Sequence, residues 1–306
     1  MPASGPVFER VVNGPIVPRG LPLVVALTGF TDAGGAVSGL IEYMREDLSS
    51  EPVAVFVNDV LLDYRARRPI IVFDQDHLTE YVAPRLELSL AHDALGQEFL
   101  LLAGYEPDFA WDAFTTAVIE LAEDFAVSTV TWVHSIPMPV PHTRPIGTTV
   151  SGNREELTGA HSVWRPRTQV PSTAGHLLEY RLAASGASVA SFVLLVPHYL
   201  GDTEYPGATI VALEKLTAAT GLVFETDDLK AQDAEYLAKV DEQVTSNDEL
   251  HRMVQGLEER YDAYMAGTVL TSPLLDESIL PSADEIAAEL ERYLATRPSS
   301  DDDKRA

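Results

Sequence analysis

Five short apolar stretches punctuate the chain between residues 22 and 196: Pro22–Leu27, Pro52–Val57, Glu98–Ala103, Thr129–Val133 and Val189–Val196. They are dense in Val, Leu and Phe and do not alternate cleanly with polar residues, a pattern that predicts strands buried on both faces, as in a parallel sheet. Between them the apolar spacing becomes helical. Val37, Leu40, Ile41, Met44 and Leu48 share one helix face, and Ala110, Phe114, Val118, Leu121 and Phe125 share another. Leu178, Leu182 and Ala183 lie between Ser172, a candidate N-cap, and Gly186, a candidate stop. Pro206 opens a helix bearing Ile210, Leu213 and Leu216, and Gly221 closes it. Strands alternating with helices predict right-handed βαβ crossovers and an α/β fold, a three-layer α/β/α sandwich.

Two stretches interrupt the alternation. Residues 59–97 hold Tyr81, Val82, Leu86, Leu88 and Leu90 among charges and prolines, which predicts a strand-rich excursion on the sheet edge. Residues 134–171 carry Pro137, Pro139, Pro141, Pro145, Pro166 and Pro171 and read as a long loop of the functional or oligomer-forming kind. After Leu222 the pattern turns wholly helical. Leu229, Asp233, Tyr236, Val240 and Val244 trace one helix; Val254, Leu257, Tyr261 and Tyr264 trace a second. Ser282 and Glu285 make a capping-box pair before Ile286, Leu290 and Leu294, which predicts a third. The expected organisation is an α/β/α domain over residues 1–225, an acidic helical extension over 226–295 and a disordered tail over 296–306.

Composition narrows the function. The chain has 306 residues, 46% hydrophobic and 22% charged, enough to bury a substantial core unaided. It has no cysteine, which removes disulfides, thiolate nucleophiles and thiolate metal sites. The formal charge is −26, which argues against nucleic acid or an anionic membrane surface as partner. Residues 226–306 hold 20 acidic and 8 basic residues, against 27 and 13 in the longer remainder. The helical extension is therefore the more densely charged part, and a partner with a basic surface is expected for it, unless its charges simply solvate the helix faces. No apolar run is long enough to span a bilayer, and the Pro/Gly-rich N-terminus has no apolar signal core. A cytoplasmic location is expected.

Four segments carry candidate chemistry, and each falls where a strand or excursion ends. Gly29-Phe30-Thr31-Asp32-Ala33-Gly34-Gly35 sits between a strand and a helix, where glycine N–H groups can meet an anion. It matches neither GxGxxG nor a P-loop, and Asp32 or Thr31 could equally cap the helix. Arg65, Arg67 and Arg68 form the strongest basic cluster; arginine forks bind phosphate or carboxylate, or pair with carboxylates of the same or a neighbouring subunit. His134 and Ser135 follow a buried strand and lead to His142 and Arg144, but no G-x-S-x-G elbow supports a serine nucleophile. No third ligand completes a metal site with His134 and His142, so neither metal nor cofactor is expected. His198 and Tyr199 follow the last strand. The candidate ligand-binding set is thus Gly29, Phe30, Asp32, Gly34, Gly35, Arg65, Arg68, His134, Ser135, His142, Arg144, His198 and Tyr199.

Taken in order, several motifs resemble the PAC2 family (proteasome assembly chaperone 2-like), in its actinobacterial branch. They are Gly29–Gly35, Asp63-Tyr64-Arg65-Ala66-Arg67-Arg68-Pro69, Glu106-Pro107-Asp108 with Trp111, His142-Thr143-Arg144-Pro145, Leu178–Leu182, Val196-Pro197-His198-Tyr199 and Leu257–Asp262. The resemblance covers residues 20–265 and implies a phosphorylase/hydrolase-like α/β/α fold. It also implies homo-oligomers, trimers first, and a non-enzymatic chaperone or interaction role. Archaeal relatives that meet proteasome rings carry a C-terminal hydrophobic–Tyr–X motif. This chain ends Asp303-Lys304-Arg305-Ala306 with Tyr293 internal, so docking by that route is not expected. The alternative is a phosphorylase- or hydrolase-related enzyme, or a small-anion or nucleoside binder. In it the glycine loop, His134, His198 and one of Arg65–Arg68 converge at the carboxyl edge of the sheet, with a histidine as general base.

Overall fold

The computed structural model describes residues 5–165 and 167–267. The first half contains β1 (Phe8–Arg10), β2 (Leu23–Thr28), α1 (Ala36–Glu46), β3 (Ser50–Phe56) and the single turn α2 (Asn58–Leu61). It continues through β4 (Ile70–Asp74), β5 (His77–Val82), β6 (Glu87–His92), β7 (Glu98–Tyr105) and α3 (Trp111–Asp124). The second half contains β8 (Val130–Met138), β9 (Gly147–Gly152), α4 (Glu155–His161), α5 (Ala174–Ser185) and β10 (Val189–Pro197). The helices α6 (Pro206–Thr220), α7 (Asp227–Ser246) and α8 (Asp248–Met265) follow. Three-residue 3₁₀ turns at Ala33–Gly35 and His198–Leu200 mark two strand exits.

Eight strands form one sheet in the order β1-β3-β6-β7-β2-β8-β10-β9. Its centre, β7-β2-β8-β10, is parallel. Antiparallel partners flank it on both sides. The parallel strands are buried on both faces because helices cover both. Side chains alternate across the pleat. Val24, Ala26, Val133, Phe192 and Leu194 pack with α1 and α6, while Leu23, Val25, Trp132 and Val189 pack with α3 and α5. Burying each Val, Leu or Phe side chain among them stabilises the fold by about 1.5–3 kcal/mol. The result is the expected three-layer α/β/α sandwich.

Several details differ from the sequence pattern. The run at Pro52–Val57 is as apolar as the others, yet β3 pairs antiparallel with β1 and β6. The 59–97 excursion divides: β6 enters the main sheet, and β4 and β5 form a separate hairpin. Residues 134–171 are not one loop. β8 runs on to Met138, β9 pairs with β10 along the sheet edge, and α4 packs on β9. The N-cap of α5 is Thr173 rather than Ser172. The Thr173 Oγ1 accepts from the His176 N–H, and His176 Nδ1 accepts from the Thr173 N–H, a reciprocal box built with histidine.

By its contacts the chain divides into Met1–Glu259 and Arg260–Ala306. In the first unit α7 packs on α6. Val240 is buried there, Tyr236 stacks on Tyr205 with ring centroids 5.2 Å apart, and the Thr203 and Tyr236 hydroxyls are 2.6 Å apart. Val254 and Leu257 are buried on α8. The second unit is described only as far as the end of α8 and a turn in which the Gly267 N–H donates to the Tyr264 carbonyl. The expected third helix at 282–294 and the tail lie outside the described residues.

Candidate functional site

The exits of β2, β7, β8 and β10 gather at the carboxyl edge of the parallel strands, where open α/β sheets place their sites. The glycine segment after β2 is held from both ends. Asp32 Oδ1 accepts the Val37 N–H at 2.7 Å, and Oδ2 accepts the Ser38 N–H at 2.9 Å and the Ser38 hydroxyl at 2.7 Å. A carboxylate bonded to first-turn N–H groups, at the positive end of the helix dipole, is a cap. Ser135 reaches the same carboxylate, donating from Oγ to Oδ1 at 3.3 Å. Gly34 and Gly35 are left-handed, with φ of 69° and 60°. The Gly34 N–H donates to the Gly201 carbonyl, and its own carbonyl accepts from the Tyr205 N–H. A Cβ on Gly34 would stand 3.1 Å from Val196, so the glycines let this turn close on the β10–α6 connection.

The centre of the edge is filled by a residue absent from the sequence-derived set. Glu106, the first residue after β7, is buried. Its Oε2 accepts the Phe30 N–H at 3.1 Å, and its Oε1 accepts the Ala174 N–H at 2.6 Å, at the start of α5. One carboxylate thereby ties three connections together. Gly29 is glycine because a Cβ there would lie 2.1 Å from Glu106 Oε2. Phe30 itself is 70% exposed.

His134 and Ser135 are neighbours on β8 and therefore point to opposite faces of the sheet. Ser135 lies on the α1 side with Asp32. His134 lies on the α5 side, stacked on Trp132 with ring centroids 4.4 Å apart and edge-on to His176 at 5.1 Å. Trp132 donates its indole N–H to Glu179 at 3.0 Å. Burial pushes the His134 pKa down to about 3, with His176 adding in the same direction. Burial also lowers His176, against the pull of Glu179 and Glu106. His134 Nε2 is buried without a hydrogen-bond partner among the described residues. Among the described residues, Ser135 is hydrogen-bonded through its side chain to Asp32 and not to a histidine.

The remaining candidates fall in two further groups. His142 is buried between Tyr199 and Asp241. Its N–H donates to Tyr199 Oη at 2.7 Å, its Nδ1 lies 2.6 Å from that hydroxyl, and its Nε2 lies 3.0 Å from Asp241 on α7. The network assigns the ring proton to Nε2, so that the tyrosine hydroxyl donates to Nδ1. Burial pushes the Tyr199 pKa up to about 12; the N–H from His142 opposes that, and the carboxylates of Glu258 and Asp241 add to it. Thr143 and Arg144 meet Glu258 on α8 at 2.5 Å and 3.3 Å. The segment 142–144 therefore anchors α7 and α8. His198 is exposed, edge-on to Tyr199.

The arginines stand apart from these groups, at the root of the β4–β5 hairpin. Arg65 pairs with Asp63 at 3.4 Å, and Arg68 is exposed. Arg67 is the anchored one, 2.5 Å from Asp108 and over the ring of Tyr105. Neither Arg65 nor Arg68 is hydrogen-bonded to Asp32, His134 or His198 among the described residues. Among those residues, no group of three or more His, Asp or Glu side chains is placed to hold a metal ion.

Comparison with known proteins places the chain. A model of the PAC2 family matches residues 26–244. A Mycobacterium tuberculosis protein of unknown function is 41% identical, with a TM-score of 0.79, over 87% of this chain and 92% of that one. A Corynebacterium glutamicum protein of unknown function is 33% identical, with a TM-score of 0.82, over 86% and 99%. At 22% identity, a Mycobacterium tuberculosis proteasome-assembly chaperone homologue shares the fold, with a TM-score of 0.70 over 76% of this chain and 100% of that one. No curated protein matches. An eight-stranded α/β/α sheet whose β2 exit, hairpin root and β10 exit match one family model along most of the chain identifies it: the protein belongs to the PAC2 family.

Proposed function

We propose that this protein is a non-enzymatic, homo-oligomeric PAC2-family member, trimeric in its first expected form, that acts in the cytoplasm as an assembly or interaction factor for other proteins. The observation that carries the reading is the β4–β5 hairpin. Ile70, Phe73, Leu78, Tyr81 and Val82 on it are all more than 60% exposed. A lone two-stranded hairpin is marginal in water at best, and an apolar patch of this kind marks an interaction surface. The proteasome-related names of two fold neighbours agree with it: the mycobacterial chaperone homologue and a Pyrococcus furiosus archaeal proteasome activator.

A partner with a basic surface has a matching face. A groove of about 710 Å³ between α1 and the start of α7 is lined by Glu46, Asp47, Asp93, Glu225, Asp227 and Asp228, with no Lys or Arg among its described lining residues. The candidate site favours the same reading, because Asp32, Glu106, His142 and Arg144 are all engaged by the fold itself. Light scattering on the purified chain tests the oligomer, and pulldown of a proteasome α-type subunit tests the role. A monomer at micromolar concentration that captures no such subunit would overturn the proposal. A nucleoside or phosphate that raises the melting temperature, and ceases to do so in His134→Ala, would establish the small-ligand alternative instead.

A further inference from the structure

Glu106 gathers more than backbone at the strand exits. Three large apolar side chains stand open around it: Phe30 is 70% exposed, Phe109 52% and Val170 63%. Their nearness follows from the chain. One carboxylate holds the N–H groups of both Phe30 and Ala174. Phe109 lies three residues beyond Glu106, and Val170 lies four residues before Ala174. Even fully extended, those spans keep Phe109 within about 11 Å of Glu106 and Val170 within about 14 Å of Ala174. Exposed apolar groups gathered in one place and rimmed by charge mark an interaction site.

The charge of this rim is opposite to that of the chain. The carboxylates of the segments that build it are engaged. Glu106 accepts its two N–H groups, Asp108 accepts the Asp63 N–H and pairs with Arg67, Asp63 pairs with Arg65, and Asp112 pairs with Arg181. Two arginines are spare. Arg68 follows Arg67 on the Phe109 side, and Arg167 lies three residues before Val170. Both are exposed, and neither has an ion pair or side-chain hydrogen bond with any described residue. A guanidinium fork takes a carboxylate in a bidentate manner. The surplus is therefore cationic here, in a chain with 47 acidic residues against 21 basic ones.

We propose that this rim binds an acidic segment of a partner protein, whose apolar side chains cover Phe30, Phe109 and Val170 and whose carboxylates pair with Arg68 and Arg167. The inference rests on the interaction reading above and adds a surface and the chemistry of what it takes. The acidic groove between α1 and α7 suits a basic surface; this rim suits the reverse. Aromatic anchors carry most of the affinity in such contacts, while complementary charge sets partner choice and association rate.

A phage-displayed library of random peptides about ten residues long, able to reach about 33 Å when extended, is panned on the full chain. Selected peptides are expected to be net negative with aromatic or aliphatic residues between the acids. A selected peptide, labelled with fluorescein and followed by anisotropy, should bind at least about ten-fold more weakly to Phe30→Ser/Phe109→Ser and to Arg68→Glu/Arg167→Glu. Its affinity for the unaltered chain should fall as salt rises from about 50 to about 300 mM. Both double variants should keep their melting temperature within about 2 °C, because the altered side chains are exposed. Failure to select any peptide, selection of basic peptides, or equal binding by the variants would overturn the proposal. So would loss of the oligomer in Phe30→Ser/Phe109→Ser by light scattering, which would assign the rim to a second copy of the chain. The interaction reading survives any of these results if the unaltered chain is oligomeric and captures its proteasome subunit, and it falls separately if the chain does neither.

Discussion

Gly29→Ala is the sharpest probe of how the strand exits are held. Gly29 has no left-handed φ, so alanine is excluded there by volume alone, with its Cβ 2.1 Å from Glu106 Oε2 and 2.8 Å from Cδ. Accommodating it requires the Glu106 side chain to leave its place between the N–H groups of Phe30 and Ala174. Hydrogen bonds to a charged group are worth about 1.5–3 kcal/mol each, so the two together set a cost of about 3–6 kcal/mol, with relaxation of the loop favouring the lower end. At about 2 °C per kcal/mol, the low end of the range because this chain is longer than those it describes, the midpoint falls by roughly 6–12 °C. Glu106→Ala loses the same two bonds and costs about as much. The decisive assay is the double-mutant cycle, measured by urea denaturation. Once Glu106 is alanine, Gly29→Ala meets no carboxylate, so the double variant should be about as stable as Glu106→Ala alone, with a coupling of about 3 kcal/mol. Additive losses would show that Gly29 matters for a reason other than Glu106.

Other expectations follow from the buried polar groups. The His134 pKa is held near 3 by burial, so the fold keeps the ring neutral while the unfolded chain protonates it below about 6.5. Its contribution is intact above about 6.5 and drains as pH falls toward 3, at up to about 1.4 kcal/mol per pH unit; a His134→Phe variant should lose less stability over that range, and parallel acid curves would contradict the assignment. Burial alone would raise the Asp93 pKa, but the N–H groups of Val223, Gln97 and Leu95 outweigh it and hold the carboxyl below its usual range. Asp93→Asn should therefore cost about 1–3 kcal/mol at neutral pH, with the deficit shrinking as pH falls through the folded pKa of the acid; a deficit independent of pH would be the contrary result. His142→Ala should raise amide exchange in α7 and in α8 up to residue 259 more than in β2 or β7, because it removes the Tyr199–His142–Asp241 chain; uniform protection would refute the anchoring role.

The parallel core was legible because double burial leaves a plain trace: β2, β7, β8 and β10 all read as unbroken apolar runs. Strand direction left none. Pro52–Val57 looks the same in sequence, yet β3 is antiparallel to its neighbours, because burial and not polarity of the chain sets the pattern. β9, spelled Gly-Thr-Thr-Val-Ser-Gly, has too few apolar residues to stand out among prolines. The capping role of Asp32 was readable as one of two alternatives, since an acidic residue at a helix start has a local signature. Glu106 was not, because its two partners are backbone N–H groups 76 and 68 residues away. Nor was the pairing of His142 with Asp241, 99 residues apart. One signal was available and unused. His134 and Ser135 are adjacent at the end of a strand, and the two-residue period already places them on opposite faces.

The most direct test of the account is the mass of the purified full-length chain in solution by multi-angle light scattering at micromolar concentration. The exposed β4–β5 hairpin predicts a multiple of 33.3 kDa, three-fold in the first instance, that falls to a single copy when Phe73→Lys and Tyr81→Lys charge the hairpin. A mass of 33.3 kDa for the unaltered chain, or an assembly indifferent to both lysines, would contradict it.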